Sequence, residues 1–140
     1  MTAYLDASVL VSMFVADLNT PRAWRLAERR PSCIASLWTI TEFSSALHLR
    51  ARIGALTSEE CSRAESSRLD HWLTSGREPV AMLAEDFLAA RRMLRERKLN
   101  LRAPDALHLA ACSRLGAELS SFDVKMLAAA AALGIPAVEV

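Results

Sequence analysis

Lysine is almost missing from this chain: of 17 basic residues only Lys98 and Lys125 are lysines, and the rest are arginine. Arginine forks suit phosphate recognition, so any nucleic-acid surface must be a local arginine patch, although a coding bias produces the same composition. An excess of charge is lacking too. The formal net charge is +1, which removes any global pull toward nucleic acid or membranes. Cysteine is scarce: Cys33, Cys61 and Cys112 lie far apart and show no paired metal-ligand spacing. That excludes a disulfide framework and reads as buried, reduced thiols in a cytoplasmic protein. A reactive thiol has no neighbouring His or basic motif in the sequence to support it. Finally, no long apolar run occurs. Ala7 to Ala16 has the length of a signal-peptide core, but Met1 to Asp6 carries an acid and no Lys or Arg. The run is about half of what a bilayer span needs, so neither a targeting nor a transmembrane segment is expected.

What remains is a globular composition, 52% hydrophobic and 24% charged over 140 residues. That length can bury a core without metal or disulfide staples. Strand and helix signals alternate. Tyr4 to Asp6 suggests a first strand, followed by a helix capped by Ser8. Thr20-Pro21 opens a second helix, with Thr20 as N-cap. Ser32 to Ser36 reads as a short buried strand. Ile40, Phe43 and Leu47 recur at helical spacing over Leu37 to Arg52, and Gly54 ends that helix. Thr57 and Glu60 form a capping box that starts a long helix running to about Gly76. Pro79 to Leu83 is a third strand candidate, and Glu85 to Lys98 a helix. Pro104 begins a helix ending at Gly116, Ala117 to Phe122 is a strand, and Met126 to Leu133 is a helix. Ile135 to Val140 closes as an edge strand. This alternation predicts an α/β fold, a mostly parallel sheet with helices on both faces. No linker, repeat or low-complexity segment breaks the chain, so residues 1–140 are expected to form one domain.

In such sheets, ligand sites form where strands end and helices begin. Asp6 ends the first strand and Asp123 ends the strand ELSSF. Asp105 lies in the first turn of the helix opened by Pro104, and Glu42 lies early in the helix after the second strand. Each acid has a plainer reading. Asp105 is favoured there by the helix dipole, Asp123 is a natural N-cap, and Glu42 fits a solvated helix face. Asp6 is harder to explain so, because an acid at the end of a buried strand is costly unless paired or bound to a cation. Together the plain account needs four coincidences. Carboxylates clustered without basic partners would take up protons, and a divalent cation removes that penalty. All-oxygen ligands favour Mg²⁺ or Mn²⁺ over zinc, and such a cation promotes phosphodiester hydrolysis.

These residues carry a resemblance to a known family. YLDASVLV resembles the first motif of PIN domains, an apolar strand ending in Asp with Ser or Thr two positions on. TITEFSSAL is similar to the region holding the family's glutamate. APDALHLAAC resembles the third motif, and ELSSFD the fourth, with the motifs in the expected order across essentially the whole chain. Length and compactness look like the VapC toxins of toxin–antitoxin pairs. The resemblance implies a three-layer α/β/α fold with a short central sheet, Mg²⁺- or Mn²⁺-dependent endoribonuclease activity on RNA, a homodimer, and inhibition by a cognate antitoxin. It makes Asp6 and Asp105 the principal metal ligands, with Glu42 and Asp123 completing the acidic pocket. Ser8 and Ser121 look like hydroxyls that orient carboxylates or water. The implied chemistry is in-line attack of activated water on phosphorus, leaving a 5′-phosphate, with a partner side chain entering the pocket on inhibition.

Other residues are weighed beside these. His108 lies three residues after Asp105 on one helix face, and reads first as a packed structural histidine, then as a pocket residue. His48 and His71 show no such company. The basic run Arg91, Arg92, Arg95, Arg97, Lys98 and Arg102 is first a solvated helix face; Arg97 or Arg102 bordering the pocket would hold RNA phosphates. Trp38, Phe43 and Leu47 read as core, and Trp24 and Trp72 as core or as a dimer or antitoxin groove. Two other functions fit less well. One is a different acidic-pocket enzyme, a phosphotransfer protein or a phosphatase of the haloacid-dehalogenase kind; such a phosphatase needs an acid two residues after its nucleophilic Asp, where this chain has Ser8. A non-catalytic PIN-like binding module fits poorly with four intact acids.

Overall fold

The computed structural model describes residues 1–138 and 140. Its centre is a small all-parallel sheet in the order β2-β1-β3, formed by Ala3–Leu5, Cys33–Ile34 and Glu118–Ser120. Ala3 and Tyr4 pair with Cys33 and Ile34, and Ala3 to Leu5 pair with Glu118 to Ser120. Alternation along β1 sends its side chains to opposite faces. Ala3 and Leu5 join one apolar cluster with Val9, Leu10, Phe14, Phe43, Leu47 and Trp72, whereas Tyr4 joins another with Leu109, Leu119, Met126 and Ala130. The helices α1 (Ala7–Phe14), α2 (Thr20–Arg29) and α3 (Leu37–Arg52) cover the first face. So does the helical stretch of α4 (Ser58–Ser62), a π-helical segment (Arg63–Leu69) and α5 (Asp70–Thr74). The second face is covered by α7 (Ala103–Arg114) and α8 (Val124–Ala132), with α6 (Ala84–Leu94) packed on α7. The expected three-layer α/β/α arrangement is therefore present.

Local differences from the sequence expectation have physical reasons. Asp6, not Ser8, caps α1: its carboxylate accepts from the Val9 N–H at 3.0 Å, and the Ser8 hydroxyl turns to other partners. Asn19, not Thr20, holds the N-cap position of α2, because Thr20 Oγ1 accepts from the Asp17 N–H in the preceding turn. Pro79 to Leu83 is no strand but one parallel bridge, Val80 to Ser36; Pro79 has no N–H to extend a ladder. The predicted helix to Lys98 stops at Leu94, and a short 3-10 turn over Arg97–Leu99 leads to Asn100, whose φ of 51° is left-handed. The last strand reduces to a bridge between Ala137 and Leu119 among the described residues, and Glu139 of that expectation lies outside them. Cys61 and Cys112 are buried and Cys33 half-buried, all as free thiols.

Candidate active site

Strand β1 connects to β2 on one side, and the chain later crosses to β3 on the other, so the strand order reverses at the carboxyl ends of β1 and β3. Open parallel sheets bind ligands in that crevice. Asp6 leaves β1 there, with its N–H donating to the Ser120 carbonyl at 3.1 Å. It is only 3% exposed, and both of its carboxylate oxygens accept hydrogen bonds. Oδ1 accepts from Ser8 Oγ at 2.7 Å and from the Val9 N–H, and Oδ2 accepts from Ser121 Oγ at 2.5 Å. Burial pushes the Asp6 carboxyl above its ordinary value, and the bonds from Ser121, Val9 and Ser8 oppose that rise.

The two serines lace the crevice together. Ser8 Oγ also accepts from the Phe122 N–H, and Ser121 Oγ from the Asp123 N–H, both at 2.9 Å. A single hydroxyl thus spans the Asp6 carboxylate and the backbone of Asp123. Asp123 caps α8 through Oδ1, which accepts from the Lys125 N–H at 2.8 Å and the Met126 N–H at 3.2 Å. Asp105, in the first turn of α7, meets Asp123 across an open cleft of about 590 Å³ that Asn100, Arg102, Phe122 and Lys125 also line. Arg102 Nε stands 3.6 Å from Asp105 Oδ2. Arg97 is exposed in its 3-10 turn and does not line the cleft.

Glu42 is placed differently. Its Oε2 is hydrogen-bonded to Nε2 of His108, which is only 2% exposed. The other ring nitrogen of His108 meets Tyr4 Oη at 3.0 Å, and Tyr4 Oη meets Ser36 Oγ at 2.8 Å. Ser36 caps α3, and Thr39 Oγ1 donates to the Leu5 carbonyl at 3.0 Å. A buried polar chain therefore runs from β1 to the glutamate. Burial drives the Tyr4 phenol up to about 12, against the bonds from Ser36 and Thr39, so the chain's hydroxyl stays protonated at neutral pH. The sequence offered only one hint of it, the shared helix face of Asp105 and His108; Tyr4, Ser36 and Thr39 carry no recognisable spacing. Asn100 and Lys125 also line the cleft, and no sequence spacing ties them to the acids. The left-handed backbone of Asn100, tolerated by a short polar side chain, is a local signal that asparagine before a helix offers.

Asp105 and Asp123 thus share a cleft, Asp6 is tied to it through Ser121, and Glu42 sits on His108. No three of these acids bring their oxygens within 4.8 Å of one another; among the described residues only His48, Cys61 and Glu65 are grouped so closely. An all-oxygen set with this open spacing does not form a closed protein cage. Carboxylates set this openly would suit only a cation that keeps several waters and takes one or two of them.

A family model described as PIN domain matches residues 3–133. No curated protein matches the chain. Among solved structures, the fold is similar to Mycobacterium tuberculosis VapC20, a sarcin–ricin loop cleaving toxin, at a TM-score of 0.74 and 18% identity, covering 99% of this chain and 100% of that one. It is also similar to FitAcB from Neisseria gonorrhoeae, with a TM-score of 0.73, 16% identity and coverage of 99% and 97%. VapBC2 from Rickettsia felis, bound to a DNA fragment from its promoter, matches with a TM-score of 0.65 and 15% identity over 91% of this chain and 92% of that one.

Proposed function

The chain belongs to the PIN domain family, and on that premise we propose that it is a Mg²⁺- or Mn²⁺-dependent endoribonuclease acting as the toxin of a toxin–antitoxin pair. The observation that carries the reading is the crevice at the ends of β1 and β3, where Ser121 joins Asp6 to Asp123 and Asp105 faces Asp123 across the cleft. Similarity of fold to a toxin that cleaves the sarcin–ricin loop supports RNA as the substrate class.

In this reading Asp6 and Asp105 would be the principal ligands of the cation, with Glu42 and Asp123 completing the acidic pocket. When bound, such a cation polarises a phosphodiester oxygen and provides a nucleophile from water at neutral pH. The protein's own residues do the positioning. Ser8 and Ser121 fix both oxygens of Asp6, so that carboxylate is presented in one orientation. His108 holds Glu42 from behind, and the rigid Tyr4 and Ser36 pair fixes the imidazole. Arg102, at the cleft wall beside Asp105, attracts the RNA backbone without reading its sequence.

The antitoxin is the proposed partner. A larger apolar pocket of about 690 Å³ lies elsewhere, between Phe14, Trp24 and Trp72 and the basic Arg30, Arg68 and Arg77. It suits an apolar anchor flanked by acids. A homodimer is proposed as well, and the exposed Leu83, Phe87, Leu88 and Leu94 along α6 support such an interface. No helix among the described residues is long and apolar enough to cross a membrane, and the free thiols fit a cytoplasmic setting. Residues 1–140 act as one domain in this reading.

Purified protein incubated with RNA and Mg²⁺ or Mn²⁺ tests the proposal, with EDTA and Asp6→Asn as controls. Cleavage that EDTA and Asp6→Asn both abolish is the expected result. Intact cation binding without cleavage of any structured RNA overturns the enzyme in favour of a non-catalytic binding module.

A further inference from the structure

His48, Cys61 and Glu65 form a cluster that the acidic crevice does not use. His48 projects from α3, Cys61 from α4, and Glu65 from the π-helical segment that follows. His48 lies six residues beyond Glu42, hence about 9 Å along α3 and on a different face of it. Its Nε2 is 3.2 Å from Glu65 Oε2 and 3.8 Å from Cys61 Sγ, and all three donor atoms fall within 4.8 Å of one another.

Those separations can be compared with what a tetrahedral ion demands. With a Zn–N bond near 2.0 Å, a Zn–O bond near 2.0 Å and a Zn–S bond near 2.3 Å, tetrahedral edges come to about 3.3 Å for N to O and about 3.6 Å for N to S. The observed 3.2 Å and 3.8 Å are close to those edges, but Sγ is also 3.7 Å from Nδ1, so the sulfur lies over the ring and the exposed His48 imidazole must turn to aim Nε2 at a shared ion. An ordinary ion pair accounts for the His48–Glu65 contact, and the buried thiol against the imidazole ring adds a third donor beside it. The donor set is also of the right kind: sulfur and imidazole select a soft, tetrahedral cation, whereas the crevice offers only oxygen. Two anions and a neutral imidazole would leave a doubly charged ion balanced. Cys61 is 2% exposed while His48 is more than half exposed, so the group is dry on the sulfur side and open to water on the other. That leaves a fourth position for water.

We propose that His48, Cys61 and Glu65 form a second metal site, specific for a soft divalent cation of the Zn²⁺ class, which pins α3 to the helical stretch beginning at Ser58. The site is structural, independent of the acidic crevice, and adds a metal tie between segments already packed in one apolar cluster. Binding releases the thiol proton, because the thiolate is the ligand; burial first and then Glu65 keep the metal-free Cys61 protonated.

The test titrates the full chain with Co²⁺ in excess Mg²⁺, reading the thiolate-to-cobalt charge-transfer absorption, and then displaces Co²⁺ with Zn²⁺. One Co²⁺ per chain with a thiolate band, insensitive to Mg²⁺ and displaced by Zn²⁺, is expected, with a rise in melting temperature when Zn²⁺ binds. His48→Gln, at an exposed position that leaves the fold intact, should weaken binding by more than about 100-fold, beyond what loss of a supporting group does. Cys61→Ser should remove the band, and Asp105→Asn should leave it unchanged. Absence of the band, its survival in His48→Gln or Cys61→Ser, or its loss in Asp105→Asn overturns the site. None of these outcomes bears on RNA cleavage, so the two readings stand or fall separately.

Discussion

Glu42 of α3 and His108 of α7 are joined carboxylate to imidazole across 66 residues of sequence, with the histidine buried and its second nitrogen held by Tyr4. The glutamate is therefore not a free helix residue. Its position is inherited from β1 through Tyr4, and from the N-cap of α3 through Ser36. His108→Ala should cost about 2–4 kcal/mol of stability, the sum of a small cavity and a broken buried bond. It should also lower RNA cleavage nearly as far as Glu42→Gln does. A double-mutant cycle on kcat is the check, because groups acting as a unit are non-additive. Additive losses would mean that His108 serves the core and not Glu42.

Ser121 offers a sharper separation of positioning from folding. Its hydroxyl donates to Asp6 and accepts from the Asp123 N–H, so one atom sets the spacing of two acids. Ser121→Ala leaves both backbones in place but frees the Asp6 oxygen. Metal affinity should fall about 10–100-fold, the usual effect of losing a group that orients a ligand. Isothermal titration with Mn²⁺ measures it, and Ser121→Thr should restore most of the affinity because it returns the hydroxyl.

Much of this arrangement was legible in the sequence, for reasons that differ by element. The helix over Leu37–Arg52 and the Thr57 capping box were readable because periodicity and caps are local. Strand lengths were not. Ser32 to Ser36 shrinks to Cys33–Ile34 and Ala117 to Phe122 to Glu118–Ser120, because pairing depends on the neighbouring strand's register and not on composition. In the crevice, Asp6 and Asp123 could be named because each follows the end of a strand, and Ser8 and Ser121 because they complete motifs that resemble those of PIN domains. The partners of Glu42 could not, since an apolar-looking helix position gives no sign that its histidine meets a glutamate far away in the chain. The same limit hid His48, whose company of Cys61 and Glu65 exists only once α3 and the next helix are packed.

The pair Asp86–Arg114 sets an acid limit on stability. Arg114 donates from Nε at 2.6 Å and from Nη2 at 2.9 Å to the two oxygens of Asp86, which also accepts from the Leu83 N–H at 2.8 Å. Burial works to raise the Asp86 carboxyl, but those three bonds outweigh it and hold the group below its ordinary range. A depressed carboxyl stabilises the fold above its unfolded value of about 3.9, and the contribution is lost as pH falls through the folded value. Arg114→Ala, which leaves the buried carboxylate unpaired, should cost about 3 kcal/mol at pH 7. The gap to wild type should hold from pH 8 to about 5 and narrow below about pH 4. Urea midpoints across that range decide it; a gap that is constant down to pH 3 would show that the loss is one of packing.

Arg102 and Arg97 separate cleft from surface. Both are exposed cations in the same basic run, yet only Arg102 lines the cleft with Asp105 and Asp123. Its contact with Asp105 is too exposed to matter for stability, so Arg102→Ala should leave the melting temperature unchanged. What it should change is the encounter with RNA. A cation that neutralises one backbone phosphate contributes about 0.7 to the slope of log K against log salt for a single strand. Loss of Arg102 should therefore weaken binding uniformly across RNA sequences, raise KM severalfold with kcat nearly held, and flatten that slope by close to one contact. Arg97→Ala, outside the cleft, should do none of these. Binding measured with the cleavage-deficient Asp6→Asn protein at several KCl concentrations gives the slopes directly. Equal slopes for the two arginine variants would remove Arg102 from the substrate path and place the phosphate contact on another wall of the crevice.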